Sequence, residues 1–334
     1  MPTRRTRSGS DCTSGWTSRP GSGRDRPHRP PAGPGRPGAR LAGRLRRART
    51  HAADPVQPGA RGAAEAGDVP ADRRVQGARR PRGGRRPPGG EPVVTASAGN
   101  HGLGMGYAAA RSGADVAVVV STRASQVKVD RIGAFPVRLV RHGTTYDEAE
   151  AHAMTLPGHY VSPYNDPAVI AGQGTIGREL DEQADGPLTV IAPVGGGGLL
   201  AGLCLWARER GDVRVIGVES AVSRGVSASL AAGRVVGVEV GDTFADGLPG
   251  NLEPGCVTPE VIGDTARLTS VTDDQIRTAL RWLFHEHGLV AEGAGAAGVA
   301  AVLAGKAEVT GRPVVIISGR NITVPTFTDA IHES

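Results

Sequence analysis

From residue 92 onward, short apolar runs alternate with stretches of helical period. The runs are Pro92-Val93-Val94, Asp115–Val120, Val137–Val140, Leu188–Ile191, Val213–Val218 and Val314–Ile317. They are rich in valine and isoleucine and too short for helices, which predicts strands buried on both faces of a sheet. Between them, Leu103–Arg111, the Ser125–Asp130 segment and the stretch running through Trp206 and Arg208 carry helical spacing. Such alternation predicts an α/β fold built as open, mostly parallel, doubly wound sheets. Ligands of such sheets bind beyond the carboxyl ends of the strands, where Ser97, Gly195 and Ser318 fall. The length, 334 residues, suits one unit of two subdomains, and no internal repeat is present.

Three turns at those strand ends carry the candidate chemistry. Thr95-Ala96-Ser97-Ala98-Gly99-Asn100-His101-Gly102 passes from a strand into a helix. It would aim backbone N–H groups at one point, with the side chains of Ser97 and Asn100 as further donors. Gly195-Gly196-Gly197-Gly198 does the same after Leu188–Ile191. Four glycines in succession suit close approach of backbone to a ligand such as phosphate, or simply a loose connection. No Lys-Ser or Lys-Thr follows them, and the spacing is not that of a dinucleotide fingerprint. The third turn is Ser318-Gly319-Arg320-Asn321.

With these turns, the segments Tyr160–Tyr164, Val169–Thr175, Val215–Glu219, Ala245-Asp246-Gly247-Leu248 and Glu292–Ala296 follow in order. Over residues 93–330 the set resembles the fold type II pyridoxal-phosphate enzymes, the tryptophan synthase β-like family, and within it the threonine/serine dehydratase branch. The resemblance implies pyridoxal 5'-phosphate as cofactor, held between a small domain (93–165) and a large one (166–332). It implies that Ser97, Asn100 and His101 line the substrate side, with Asn100 also reaching the cofactor's phenolate oxygen. Gly195, Gly196, Gly197, Gly198 and the N–H of Leu199 would cradle the phosphate, and Ser318 would face the pyridine nitrogen. Glu292 would lie near the ring and move protons, or serve as a helix-start carboxylate. His101 reads as a structural member of its turn. The implied reaction is loss of ammonia from threonine or serine to give a 2-oxo acid. Threonine synthase, racemase and β-replacement chemistry are the alternatives within the fold, and a non-catalytic binding remnant is the alternative outside it.

The family's chemistry needs a lysine to hold the cofactor as a Schiff base. The chain has two, Lys128 and Lys306, and neither sits in the family's Ser-Phe-Lys-x-Arg-Gly context N-terminal to Ser97. Composition offers an explanation. Residues 1–92 hold 21 arginines, no lysine and one aromatic residue, for a net charge of +14, whereas the remainder carries −8. An abrupt change to Arg, Gly, Pro and Ala is what a GC-rich gene gives when read out of frame. Reading the second and third bases of each codon with the first of the next, from Thr50 on, permits a run that from Ala66 reads Leu-Glu-Thr-Phe-Gln-Pro-Thr-Gly-Ala-Phe-Lys-Val-Arg-Gly-Gly-Leu. That shifted lysine falls at Gln76, and the frame is regained between Pro87 and Glu91. Residues 1–48 are thus expected to be a basic disordered or misread segment, and 49–92 the misread counterpart of the N-terminal strand and lysine segment. A genuine basic tail is the competing reading.

Other features narrow the class. The basic segment lacks the aromatic interleaving of a base-reading surface, so no nucleic-acid partner is expected. No apolar run approaches the roughly 18 residues that span a membrane. Cys12, Cys204 and Cys256 show neither pairing nor metal spacing, which points to a reducing cytoplasm, with Cys204 as a core thiol. Some relatives bind a cation through the residue at Glu219 and an acid six positions on. Here that position is Gly225, so no metal is expected. The expected partner is a small amino-acid substrate, and the expected assembly a homodimer. With the sequence ending at Ser334, no C-terminal regulatory domain is expected.

Overall fold

The computed structural model describes residues 90–332. Its first sheet contains β1 (Val93–Ala96), β2 (Val116–Val120), β3 (Arg138–Arg141) and β4 (His159–Tyr160), in the order β3-β2-β1-β4. Its second contains β5 (Leu188–Pro193), β6 (Val213–Ser220), β7 (Ala266–Val271) and β8 (Arg312–Val315), in the order β7-β6-β5-β8. All pairings are parallel, with Val93 opposite Val116 and Leu188 opposite both Val213 and Arg312. This is the expected α/β architecture of two open, doubly wound sheets.

Strand chemistry accounts for the layering. Every residue of the central strands β2 and β5 is buried, as continuous Val/Ile runs require when helices cover both faces. Helices α1 (Asn100–Ser112), α2 (Gln126–Gly133) and α3 (Tyr146–Thr155) flank the first sheet. Val116, Val118 and Val120 pack with Met105, Ala109, Val129 and Ile132 of α1 and α2, while Ala117 and Val119 pack with Ala149 and Ala153 of α3. The alternation is the two-residue period of a strand.

Around the second sheet lie α4 (Pro167–Gln183), α5 (Gly198–Arg210), α6 (Gly225–Ala232), α7 (Thr258–Ile262), α8 (Asp273–His287), α9 (Gly293–Leu303) and α10 (Val324–Ile331). Ile191, Ile216 and Val218 face α8 and α9, and Val190, Ala192 and Val215 face α5. Cys204 is fully buried in that second cluster, and burial pushes its thiol up to about 12. Among the described residues no helix is long and apolar enough to cross a membrane.

Two differences from the sequence reading concern the sheet margins. Strand β8 spans Arg312–Val315 rather than Val314–Ile317, because its pairing with β5 runs from Leu188 to Ile191 and the chain then turns out towards Ser318. Strands β4 and β7 have no continuous buried run to announce them, since each is an edge strand with half-exposed residues.

In each sheet the chain leaves the centre in both directions: β1 lies between β2 and β4, and β5 between β6 and β8. Crevices open at such reversals, at the carboxyl ends of the strands. Ser97 follows β1, Gly195 follows β5, and Ser318 follows β8.

Candidate functional site

The glycine loop after β5 is tightly set rather than loose. A Cβ at Gly195 would lie 2.9 Å from the Gly247 carbonyl oxygen, at Gly196 2.2 Å from the Tyr164 ring, and at Gly198 2.6 Å from Gln173 Oε1. Gly197 has φ +90°, in the left-handed region, and is the N-cap of α5. The Thr258 hydroxyl donates to the Gly196 carbonyl oxygen at 2.7 Å. No side chain caps α5, so the N–H groups of its first turn, Leu199 among them, have no partner within the helix. The loop thereby offers a concave run of backbone donors at a positive helix end.

Helix α1 also begins on a glycine, Gly99, without a side-chain cap. Buried Ser97 folds back to accept the Gly99 N–H at 3.1 Å. Asn100, in the first turn, donates through Nδ2 to Glu292 Oε1 at 2.8 Å, across 192 residues of sequence. Glu292 Oε2 accepts the Asn321 N–H at 2.9 Å, and the Glu292 N–H donates to the Gly319 carbonyl oxygen at 3.0 Å. Gly319 admits no side chain, since a Cβ there would lie 2.2 Å from Glu292 Oε1 and 2.5 Å from Asn100 Nδ2. The turn after β1, the start of α9 and the Ser318–Asn321 turn therefore meet at one carboxyl group. Glu292 is the N-cap residue of α9, yet its side chain does not cap that helix and turns to Asn100 and Asn321 instead. Burial pushes its pKa up, with Lys128 drawing it down and Asp246 adding to the rise.

Beside this carboxyl lies a cavity of about 120 Å³ whose polar lining includes Ser125, Lys128, Asp246, Glu292, Asn321 and Thr323. Lys128 is buried and ion-paired to Asp246, whose neighbour Gly247 touches the glycine loop. Arg131, one turn further along α2, donates to Asn321 Oδ1 at 2.8 Å. The helical spacing of Ser125–Asp130 places Lys128 on a helix and gives it no place at the cavity. Its one distinguishing signal is that it is one of only two lysines in a chain of 39 basic side chains. The Ser318–Asn321 motif predicts no role for Asn321, although it contributes the N–H that binds Glu292.

His101 does not join this group. Its Nε2 pairs with Thr95 Oγ1 at 3.0 Å, and Thr95 donates to the Val161 carbonyl oxygen at 2.7 Å. Packing around the imidazole pushes its pKa down to about 4, so the ring is neutral and binds β1 to the segment after β4. Glu219 accepts hydrogen bonds from the N–H groups of Val226 (3.0 Å) and Ser227 (3.2 Å) and from the Ser227 hydroxyl. Its carboxylate caps α6. Among the described residues no group of three or more His, Cys, Asp or Glu side chains is arranged to hold a metal ion. Gln76, at the expected lysine position, lies outside the described residues.

A family model described as pyridoxal-phosphate dependent enzyme matches residues 71–319. An L-threonine ammonia-lyase of Thermotoga maritima is 38% identical over 239 residues, covering 70% of this chain and 59% of that protein. The catabolic L-threonine dehydratase of Escherichia coli is 37% identical over 239 residues, 69% of this chain and 72% of that protein. Among solved structures, the processed form of threonine deaminase isoform 2 from Solanum lycopersicum matches with a TM-score of 0.64 at 32% identity, covering 72% of each chain.

Proposed function

Because the chain belongs to the pyridoxal-phosphate dependent enzyme family, we propose that its body is that of a threonine/serine dehydratase. The reaction would convert a β-hydroxy amino acid into a 2-oxo acid and ammonia. The observation that carries this reading is the meeting of Asn100, Glu292 and Gly319 beyond the strands β1 and β8, in a chain similar to threonine dehydratases.

The phosphate end of the cofactor suits the residues present. Gly195–Gly198 leave no space for side chains, and the N–H of Leu199 opens α5, which together favour a bound phosphate. When bound, the cofactor supplies an electron sink through which the α-C–H bond of an amino acid can break. Ser97 and Asn100 would hold the substrate carboxylate, Asn100 would also reach the phenolate oxygen, and Ser318 would face the pyridine nitrogen. Glu292, whose pKa burial raises, would lie near the ring and move protons at the cavity. His101, neutral and bonded to Thr95, would keep the substrate turn in shape.

The covalent end does not fit. Lys128 is engaged by Asp246, and Lys306 Nζ donates to the Ser270 carbonyl oxygen at 2.8 Å and to Gln275 Oε1 at 3.1 Å. We therefore infer that the chain as written is impaired by loss of the cofactor lysine, whose position is Gln76. Residues 93–165 and 166–332 would act as small and large domains, and the working form would be a cytoplasmic homodimer.

The test compares this chain with one whose reading frame is restored from Thr50 to Pro87. Each is mixed with pyridoxal phosphate, reduced with borohydride, peptide-mapped and assayed for 2-oxo acid from L-threonine and L-serine. The restored chain should be labelled at its new lysine and release product, while the chain as written gives neither. Turnover by the chain as written, with label on Lys128 or Lys306, overturns the impairment. A restored chain that is labelled but dehydrates neither amino acid overturns the dehydratase reading.

A further inference from the structure

The glycine loop after β5 is backed by one aromatic residue, Tyr164, in the turn between β4 and α4. The buried Tyr164 ring lies where a Gly196 side chain would be, 2.2 Å from that Cβ position, and Tyr164 Cα and its carbonyl oxygen lie 2.7 Å from that of Gly198. Successive glycines carry more backbone freedom than other residues. The shape of the loop therefore depends on what it is packed against.

The Tyr164 hydroxyl is engaged on both sides. It donates to Glu150 of α3, 3.1 Å from Oε1 and 3.2 Å from Oε2, and accepts the backbone N–H of Glu253 at 3.0 Å. Glu150 is buried and fixed in turn, since its Oε1 also accepts from the hydroxyls of Tyr146 (2.6 Å) and Tyr160 (3.1 Å). Three of the protein's four tyrosines thus meet at one carboxyl group, which suits an acceptor-only carboxylate with several lone pairs. From Glu253 the contacts return to the loop. The Glu253 carbonyl oxygen accepts the Cys256 N–H at 3.1 Å, Cys256 Sγ lies 3.2 Å from Thr258 Oγ1, and the Thr258 hydroxyl donates to the Gly196 carbonyl oxygen at 2.7 Å. Asn165 braces this turn at both ends, donating to Glu253 Oε1 at 2.5 Å and accepting the Val257 N–H at 2.7 Å.

Two paths therefore lead from one hydroxyl to Gly196, the first through the Tyr164 ring and the second through Glu253, Cys256 and Thr258. We propose that Tyr164 is the positioning residue of the glycine loop, its ring shaping the loop and its hydroxyl tying that shape to Glu150. A helix of the first sheet thereby sets an anion loop that belongs to the second. Loop shape follows from these contacts alone, whereas the bearing on ligand affinity rests on the phosphate reading of the loop.

Y164F tests this, because it keeps the ring and removes only the hydroxyl. Y160F is the comparison, since it deletes a phenol bond to the same Glu150 oxygen, of the same 3.1 Å length, that does not lead to the loop. Nitrogen-15 relaxation of the full chain without ligand reads the loop directly. Order parameters at residues 195–199 should be those of rigid backbone, about 0.85, in the unmodified chain and Y160F, and fall towards about 0.6 in Y164F. The Ser318–Asn321 turn should stay rigid in all three. E150Q should loosen the loop too, and adding it to Y164F should change nothing further, because Glu150 acts on the loop through Tyr164. Pyridoxamine phosphate, which cannot form an aldimine with Lys128 or Lys306, reads binding by calorimetry. At pH 8 Glu150 is a carboxylate, since burial pushes it up only to about 7. Affinity there should fall by about three- to tenfold in Y164F, as for one lost hydrogen bond, and be unchanged in Y160F. Equal loop order in Y164F and the unmodified chain overturns the positioning role, whether or not ligand binds. Loosening by Y160F as large as by Y164F marks a merely structural cluster and overturns it as well. Additive loosening in the double variant overturns the route from Glu150. A loosened loop with unchanged affinity overturns the link to binding. A loop that loosens as expected, in a chain that binds no pyridoxamine phosphate, upholds the positioning role and overturns the phosphate reading instead.

Discussion

At the residue scale, the substrate turn shows how similar-looking polar residues diverge in role. His101 and Asn100 are neighbours, yet Asn100 reaches across to Glu292 while His101 is held by Thr95. Because the folded pKa of His101 is about 4, against 6.5 for an unperturbed histidine, the unfolded chain takes up a proton first as pH falls. Stability from this residue is therefore complete above 6.5 and is lost as pH falls to 4, by up to about 3 kcal/mol. Denaturation of H101N should show a flatter acid limb than the unmodified chain, and an NMR titration should find the His101 ring neutral at pH 5. Gly319 gives a second test. G319A forces a methyl group into Glu292 and Asn100, so a loss of about 1–3 kcal/mol in urea denaturation is expected. An unchanged midpoint would mean that the turn is not seated there. The sequence disclosed Ser97, Asn100, the glycines, Glu292 and Ser318 because each lies in a contiguous motif at a strand end. It hid Lys128, whose place at the cavity depends on a helix and a distant Asp246 meeting in space.

At the element scale, helix–helix contact is controlled by glycines that a sequence window treats as helix breakers. α4 and α5 cross where Gly174 meets Gly202, and a Cβ at Gly202 would lie 2.5 Å from the Ile170 carbonyl oxygen and 2.7 Å from Gly174 N. Helix propensity alone favours alanine at such a site by about 1 kcal/mol. The backbone clash reverses the sign, so G202A should destabilise by about 1–3 kcal/mol, as read by urea denaturation. Capping is the simpler case. Thr272 and Gln275 form a reciprocal capping box at the start of α8, and T272A should cost about 1 kcal/mol by the same measurement. Legibility follows burial: β2 and β5 were visible as continuous apolar runs because helices cover both their faces. The edge strands β4 and β7 face partly outward, so only pairing with a neighbour distinguishes them from loop.

At the scale of the whole molecule, each sheet has apolar clusters of its own, and polar contacts supply much of the tie between them: Asn100 with Glu292, Arg131 with Asn321, Asn165 with Glu253 and Lys128 with Asp246. Polar junctions of this kind permit relative motion more readily than a continuous apolar core. The Lys128–Asp246 pair is asymmetric, with the lysine side chain 10% exposed and the aspartate 60% exposed. Removing the two partners should therefore have unequal effects. D246N strands a buried ammonium without its counter-charge, which costs more than the pair itself contributes. K128M removes the buried charge, fills the space with apolar atoms and leaves Asp246 hydrated. A loss of about 1–3 kcal/mol is expected for D246N and below about 1 kcal/mol for K128M, compared in urea denaturation at one pH. The same variants should move Glu292 in opposite directions, since Lys128 draws its pKa down and Asp246 raises it. K128M should extend the protonated range of Glu292 upward in pH and D246N should shorten it, as followed by the carboxyl infrared band against an E292Q reference. Equal destabilisation by both variants, with the Glu292 band unmoved, would show that the pair sits on the surface and takes no part in joining the two sheets at the site.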